Sequence, residues 1–315
     1  MKRLATLIFA ALLFAAPAAA ADWTVPGDFA TIQDALDNPG VVDGDRIFVR
    51  PGTRFGAVVT KAVEIIGTKK TIINDGPFLP GTNWARVGFF FPDDYSGNGA
   101  TIRGFTFIGT PMTARVDDGY LDFGVFSRGA NDVTVEHNVI QNTLQAITNW
   151  SGSGWRISHN KIEGLWVLNG GGLGIFIGSR YGTPADNNIV SFNKVQANIT
   201  HDTGNYSVAG ICLMCDARYS FPGGPVRYNT IIHNTFRVIC RWTDGTPLGV
   251  GLELTDLLLD EGEDATIVGN RIGFNDFRKS SIEIALNPPD VGGENVISRN
   301  LGKNRGQGEH PGLIF

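Results

Sequence analysis

The feature that most limits what this chain can become is a decapeptide that it keeps rewriting. "VTVEHNVIQN", Val133 to Asn142, returns as "WRISHNKIEG", "NIVSFNKVQA", "ATIVGNRIGF" and "NVISRNLGKN", and in shorter form as "VRYNTIIHN". Aligning the recurring asparagine makes Asn138, Asn160, Asn193, Asn229, Asn270 and Asn300 equivalent, with gaps of 22, 33, 36, 41 and 30 residues. A fixed core with irregular gaps is what coils of one design produce when they carry loops of different length.

Each unit has the same internal order. A short apolar-alternating run reaches the asparagine, a second follows as in "VIQN", and a loop leads to a third: "GVFS", "AITN", "GIFI", "GICL", "GLEL" or "IEIA". These runs are rich in Val and Ile and bounded by Gly, Asn, Asp and Pro, which predicts strands and excludes long helices. Three short strands per coil, stacked coil on coil, make an all-β parallel solenoid. Asparagine tolerates the left-handed backbone of a sharp corner. Its amide both donates and accepts, so amides stacked about 4.8 Å apart can bond along the axis as a ladder. Open solenoid ends need covering. "PGDFATIQDALDN" predicts an N-terminal helical cap started by Asp28, with Phe29, Ile32, Ala35 and Leu36 on one face, and the final "GLIF" is a weaker candidate for the other end.

The first residues, "MKRLATLIFAALLFAAPAAAAD", place Lys2 and Arg3 before an apolar run that ends in small residues, the build of a secretory signal peptide. Residues 1–21 are therefore expected to be cleaved, leaving 22–315 as one β-helix domain, secreted or periplasmic. No further segment approaches membrane length. Removing Lys2 and Arg3 from 26 basic residues leaves 24 against 31 acidic, a balance that argues against a nucleic-acid partner. Cys212, Cys215 and Cys240 are too few for a disulfide scaffold; "CLMC" sits in a strand, where positions three apart face opposite ways. Buried thiols, or one bridge to Cys240, are expected.

"FATIQDALDN" followed by "GDRIFVRPGTRFGAVVTKAVEIIG" resembles the opening of right-handed parallel β-helix proteins of the pectin-lyase-like superfamily: a capping helix, a first strand, a Pro-Gly turn, then coils. The resemblance extends over the mature chain as a repeat pattern. It implies a single-stranded right-handed parallel β-helix, and a group that spans lyases, glycoside hydrolases, methylesterases, epimerases, adhesins and periplasmic copper-maturation proteins. Catalytic motifs of that group, such as the methylesterase G-x-V-D-F-I-F-G, are not matched; "DFGVFSRG" around Asp122 is a superficial echo.

Stacking arithmetic supplies the candidates. With Ile175, Ile211, Leu252 and Ile282 inward, Phe176, Cys212, Glu253 and Glu283 form an outward column in which Glu253 and Glu283 are neighbours. Carboxylates about 5 Å apart suit the nucleophile and acid/base of a retaining glycosidase, and one pKa should rise. Arg241, Trp242 and Asp244 precede Glu253, and His201, Asp202 and Tyr206 lie one coil earlier. These six are candidate sugar contacts, Arg241 for a uronate carboxylate and Trp242 for a ring. His137 and His159, 22 residues apart, are weaker metal candidates, although their column continues as Phe192, Tyr228, Gly269 and Arg299. The acidic run holding Asp256, Asp260, Glu261, Glu263 and Asp264 offers the oxygens calcium takes. No cofactor is required by this reading.

The expectation is an exported, carbohydrate-active protein, with a polysaccharide partner held on the lateral face overhung by the loops before Ile211, Leu252 and Ile282. Cleavage by hydrolysis or elimination is the leading reading. A non-catalytic glycan-binding or surface-structural role, and periplasmic copper handling through His137, His159 or the cysteines, are the alternatives.

Overall fold

The computed structural model describes residues 19–111, 120–167, 171–201, 208–217, 223–257, 267–287 and 295–302. The short runs form three parallel sheets, each with its strands in chain order. A ten-stranded sheet runs from Asp22–Val25 to Val296–Ser298, a seven-stranded sheet from Gly52–Phe55 to Thr235–Trp242, and an eight-stranded sheet from Ala57–Val58 to Ile282–Asn287. Each coil visits the three in turn, which is the parallel β-helix of the expectation, and Val226–Arg227 with Ile267–Val268 adds a two-stranded sheet.

The core follows from alternation. Val135, Ile157, Val190, Ile231 and Ile272 stack in the ten-stranded sheet, Val125, Ile147, Ile175, Ile211 and Leu252 in the eight-stranded one. All belong to one apolar cluster that extends from Val25 to Ile284. Several strands of the eight-stranded sheet carry a glycine just before the stacked core residue because that position also points into the narrow interior. A Cβ on Gly210 would come within 2.7 Å of the Phe236 ring, and one on Gly251 within 2.9 Å of Phe277.

The asparagine ladder exists, but the repeat alignment merged two. In the first, the side-chain Nδ2 of Asn138 donates to Asn160, Asn160 to Asn193, Asn193 to Asn234, Asn234 to Asn275 and Asn275 to Asn300, at 3.0–3.1 Å. In the second, Asn188, Asn229, Asn270 and Asn295 are linked in the same way at 2.8–2.9 Å. Asn229 and Asn270 thus belong to the corner before the three-residue strand, and Asn234 and Asn275 to the corner after it. The left-handed residue is the one preceding the ladder asparagine, as at His137, His159, Phe192, His233 and Phe274, with φ of 56–58°. The amide is therefore free to turn inward, where it satisfies buried carbonyls and its neighbour together.

The N-terminal helix is Ile32–Asp37, with Ile32, Ala35 and Leu36 buried. It packs on Asp22–Val25, Arg46–Val49 and Ala57–Val58. Its N-cap is Thr31 rather than Asp28: Thr31 Oγ1 accepts from the Asp34 amide while the Asp34 carboxylate accepts from the Thr31 amide. Asp28 instead binds the Thr24 amide and hydroxyl in the preceding turn, at 2.8 Å each. Thr31→Ala should cost about 1 kcal/mol in urea unfolding, and Asp28→Ala should leave the helix ends intact.

Candidate functional site on the outer face of the eight-stranded sheet

The outer face of the eight-stranded sheet does not have the polar cover of a solvated strand. Phe90, Phe126, Phe176, Trp150, Met214 and Cys212 form a second buried cluster there, separate from the interior. Trp150 and Phe176 lie 4.4 Å apart between ring centroids. Gly178, beside both, has no side chain because a Cβ would fall 2.3 Å from the Phe176 ring and 3.0 Å from Trp150.

Two adjoining cavities open along this face. One, of 310 Å³, is lined by Asp93, Tyr95, Arg128, Trp150, Arg180 and Tyr181. The other, of 250 Å³, shares Arg128, Trp150 and Arg180 and continues past Trp84, Phe176 and Asp216. Arg180 lies over the Trp150 ring at 5.3 Å and the Tyr181 ring at 4.2 Å. Arg128 donates to the Pro80 carbonyl at 2.8 Å. Burial, then the neighbouring Arg180 charge, holds Arg128 below the usual arginine range. Neither guanidinium forms a salt bridge among the described residues. Two like charges on one wall, partly desolvated and backed by aromatic rings, are stabilised by an anion between them, and guanidinium geometry favours a carboxylate.

Two strands beyond Phe176, about 10 Å along the axis, the same outward column reaches Glu253 through Cys212. Glu253 is 1% exposed; Oε1 accepts from the Thr255 hydroxyl at 3.0 Å, and Oε2 has no partner among the described residues. Burial pushes its pKa up to about 7 against the opposing pull of the Thr255 hydrogen bond. Burial, then the Glu253 charge, raises the Cys212 thiol well above its ordinary value.

The expected stacking of Glu253 on Glu283 is not formed. The register pairs Leu252 with Ile284 and Glu253 with Ala285, while Ile282 pairs with Val250. Glu283 thereby takes the level of Gly251, the inward glycine column, and its carboxyl group lies towards Gly302 and Phe277. The last strand is slipped by two residues from the expected alignment, and because Ile282 and Ile284 suit the position beside Leu252 equally well, alternation could not choose between the two registers.

The other sequence candidates are dispersed. Trp242 packs on the interior cluster at the end of the strand Thr235–Trp242, Arg241 is exposed beside it, and Asp244 turns back to accept from the Thr246 amide at 2.8 Å. The backbone of His201 pairs with Trp242; Asp202, Tyr206, Asp260 and Glu261 lie outside the described residues. His137 and His159 stack face to face, 4.8 Å between centroids and 5° between planes. Parallel rings aim their nitrogens side by side rather than at one ion. Their column continues as Phe192, His233, Phe274 and Arg299, which corrects the expected Tyr228 and Gly269. Among the described residues no three His, Cys, Asp or Glu side chains converge as metal ligands. All three cysteines are buried and form no disulfide among the described residues, Cys212 in the outer cluster and Cys215 and Cys240 in the interior one.

Arg128 and Arg180 were missed, yet a signal for them existed. Each follows an outward phenylalanine at an even offset, Phe126 to Arg128 and Phe176 to Arg180, so strand periodicity places both on the outer face.

No family model and no curated protein matches this chain. Several solved structures are similar to it. An alginate lyase from Paenibacillus is 14% identical over 91% of this chain and 99% of its own, with a TM-score of 0.37. An exopolygalacturonase from Thermotoga maritima is 12% identical over 77% and 73%, with a TM-score of 0.40. A tailspike capsular polysaccharide depolymerase from an Acinetobacter baumannii bacteriophage is 10% identical over 94% and 63%, with a TM-score of 0.37.

Proposed function

We propose that this is an exported polysaccharide-active protein that takes an acidic glycan on the outer face of its eight-stranded sheet. The observation that carries the reading is the Arg128–Arg180 pair on a wall shared by two cavities with Trp150. The guanidiniums hold a uronate carboxylate, and Tyr95, Trp150 and Tyr181 give the sugar ring apolar surfaces. Arg128→Ala and Arg180→Ala should each weaken binding of polygalacturonate or alginate at least about tenfold, as a lost charge-assisted pair does. Unchanged affinity in affinity electrophoresis would remove the site.

Cleavage is assigned to Glu253, as a carboxylic acid kept protonated near neutral pH on the same face; Glu283 belongs to another column and has no proposed part. Glu253→Gln should abolish product release from a substrate panel while binding persists. Binding by the unaltered protein with no product from any substrate would make it a glycan-binding protein instead.

The leader is proposed to direct export and to be removed close to Ala21, whose amide donates to the buried Asp45 carboxylate at 2.7 Å. Intact mass of protein recovered from outside the cytoplasm would read the cut. The helix Ile32–Asp37 is proposed to cap the first coil.

A further inference from the structure

We propose a second glycan-binding surface, on the outer face of the seven-stranded sheet, for an anionic polysaccharide strand. It goes beyond the reading above, because it stands on a different sheet and uses none of the same residues. Alternation sends Ile162, Val195, Phe236 and Val238 inward and turns a polar column out. Along one line Lys161 pairs with Lys194, and along the next Glu163 pairs with Gln196 and Gln196 with Arg237. These rungs sit about 4.8 Å apart. A trough of 440 Å³ follows them, lined by Glu163, Gln196, Asn198, Arg237, Ile239 and Lys279.

Charge decides what fits. The chain as a whole carries a formal net charge of −5, yet this face gathers Lys161, Lys194, Arg237, Arg278 and Lys279 around the carboxylates Glu163 and Asp276. Both carboxylates are engaged, Glu163 with Lys161 at 2.7 Å and Asp276 with Arg278 at 3.0 Å. Lys194, Arg237 and Lys279 have no salt bridge among the described residues, and the Arg237 Nε is buried with no acceptor. Lys194 also faces the Glu163 charge and Arg237 that of Asp276, but five cations to two carboxylates leave a surplus of positive charge beside the amides of Gln196 and Asn198, which suits carboxylates and hydroxyls. Ile239 offers an apolar patch for the C–H face of a sugar. Among the described residues no aromatic side chain lines the trough to stack on a base, which favours a polysaccharide over a single-stranded nucleic acid.

The test is lysine acetylation read by mass spectrometry, with polygalacturonate as the probe, dextran as the neutral control and single-stranded DNA as the competing polyanion. Polygalacturonate should protect Lys194 and Lys279 several-fold while leaving the exposed Lys69 and Lys70 unchanged, and the protection should fade in 1 M salt. It should persist in the Arg128→Ala/Arg180→Ala protein, so failure at one site is read separately from failure at the other. In that background, Lys194→Glu/Lys279→Glu should weaken the remaining polygalacturonate binding about fivefold or more. Labelling of Lys194 and Lys279 unaffected by polygalacturonate, or equally suppressed by dextran or by single-stranded DNA, would overturn the proposal.

Discussion

Asn234→Ala should be among the most damaging single substitutions in the solenoid, lowering the unfolding free energy by about 3–5 kcal/mol. The side chain is 1% exposed and joins three coils. Its Nδ2 donates to the carbonyls of Val190 and Ile232 and to Asn275 Oδ1, and its Oδ1 accepts from the amide and side chain of Asn193. Alanine leaves those partners buried without an exchange for water, and each such orphan costs about 1 kcal/mol or more. Asn234→Asp keeps the shape but loses the donor and adds a buried charge, so it should be no milder. Asn300, at the last described rung and only part-buried, donates onward to a single carbonyl, Ile272, and accepts from Asn275; Asn300→Ala should cost less than half as much. Urea unfolding of the three variants checks the order. An Asn234→Ala protein within about 1 kcal/mol of the parent would remove the ladder as a main support of the fold.

The second large effect is on pH dependence. Glu253 has a folded pKa of about 7, raised by burial from an ordinary 4.5. Between those values the folded chain holds a proton that the unfolded chain has released, so stability falls as pH rises from about 4.5 and levels off above about 7. The difference corresponds to roughly 3 kcal/mol at most. Glu253→Gln, which keeps an oxygen for the Thr255 hydroxyl, should flatten this part of the profile and be the more stable protein, relative to wild type, at pH 8 than at pH 4.5. Denaturant melts at pH 4.5, 6 and 8 measure it. A Glu253→Gln profile parallel to that of wild type would show that the carboxyl is not held neutral. The same proton gives Glu253 its proposed role, since an acid near its pKa at neutral pH can both give up and regain it.

The recurrence of asparagine between β-branched residues was enough to place short parallel strands around an amide ladder, because stacking like on like is the only economical use of such a repeat. It was not enough to separate the two ladders. "NTIIHN", Asn229 to Asn234, begins and ends with asparagine, and only the hydrogen bonds show that Asn229 continues Asn188 while Asn234 continues Asn193. The N-terminal helix was legible for its buried face, Ile32, Ala35 and Leu36, but its start was not: Asp28 and Thr31 are equally good N-caps until the turn at Thr24 claims one of them.

The sequence by itself determined the coil, its alternation and which residues could face out, since these depend on local periods of two and on the chemistry of one side chain at a corner. Tertiary structure decided which outward residues meet. Glu253 and Glu283 were parted by a two-residue slip that no pattern of period two can register, whereas Arg128, the last residue of one strand, and Arg180, the residue after the strand two along in the eight-stranded sheet, were brought to one cavity wall by stacking. Loop lengths between coils set that register, and loop length carries no signal of where the next strand will dock.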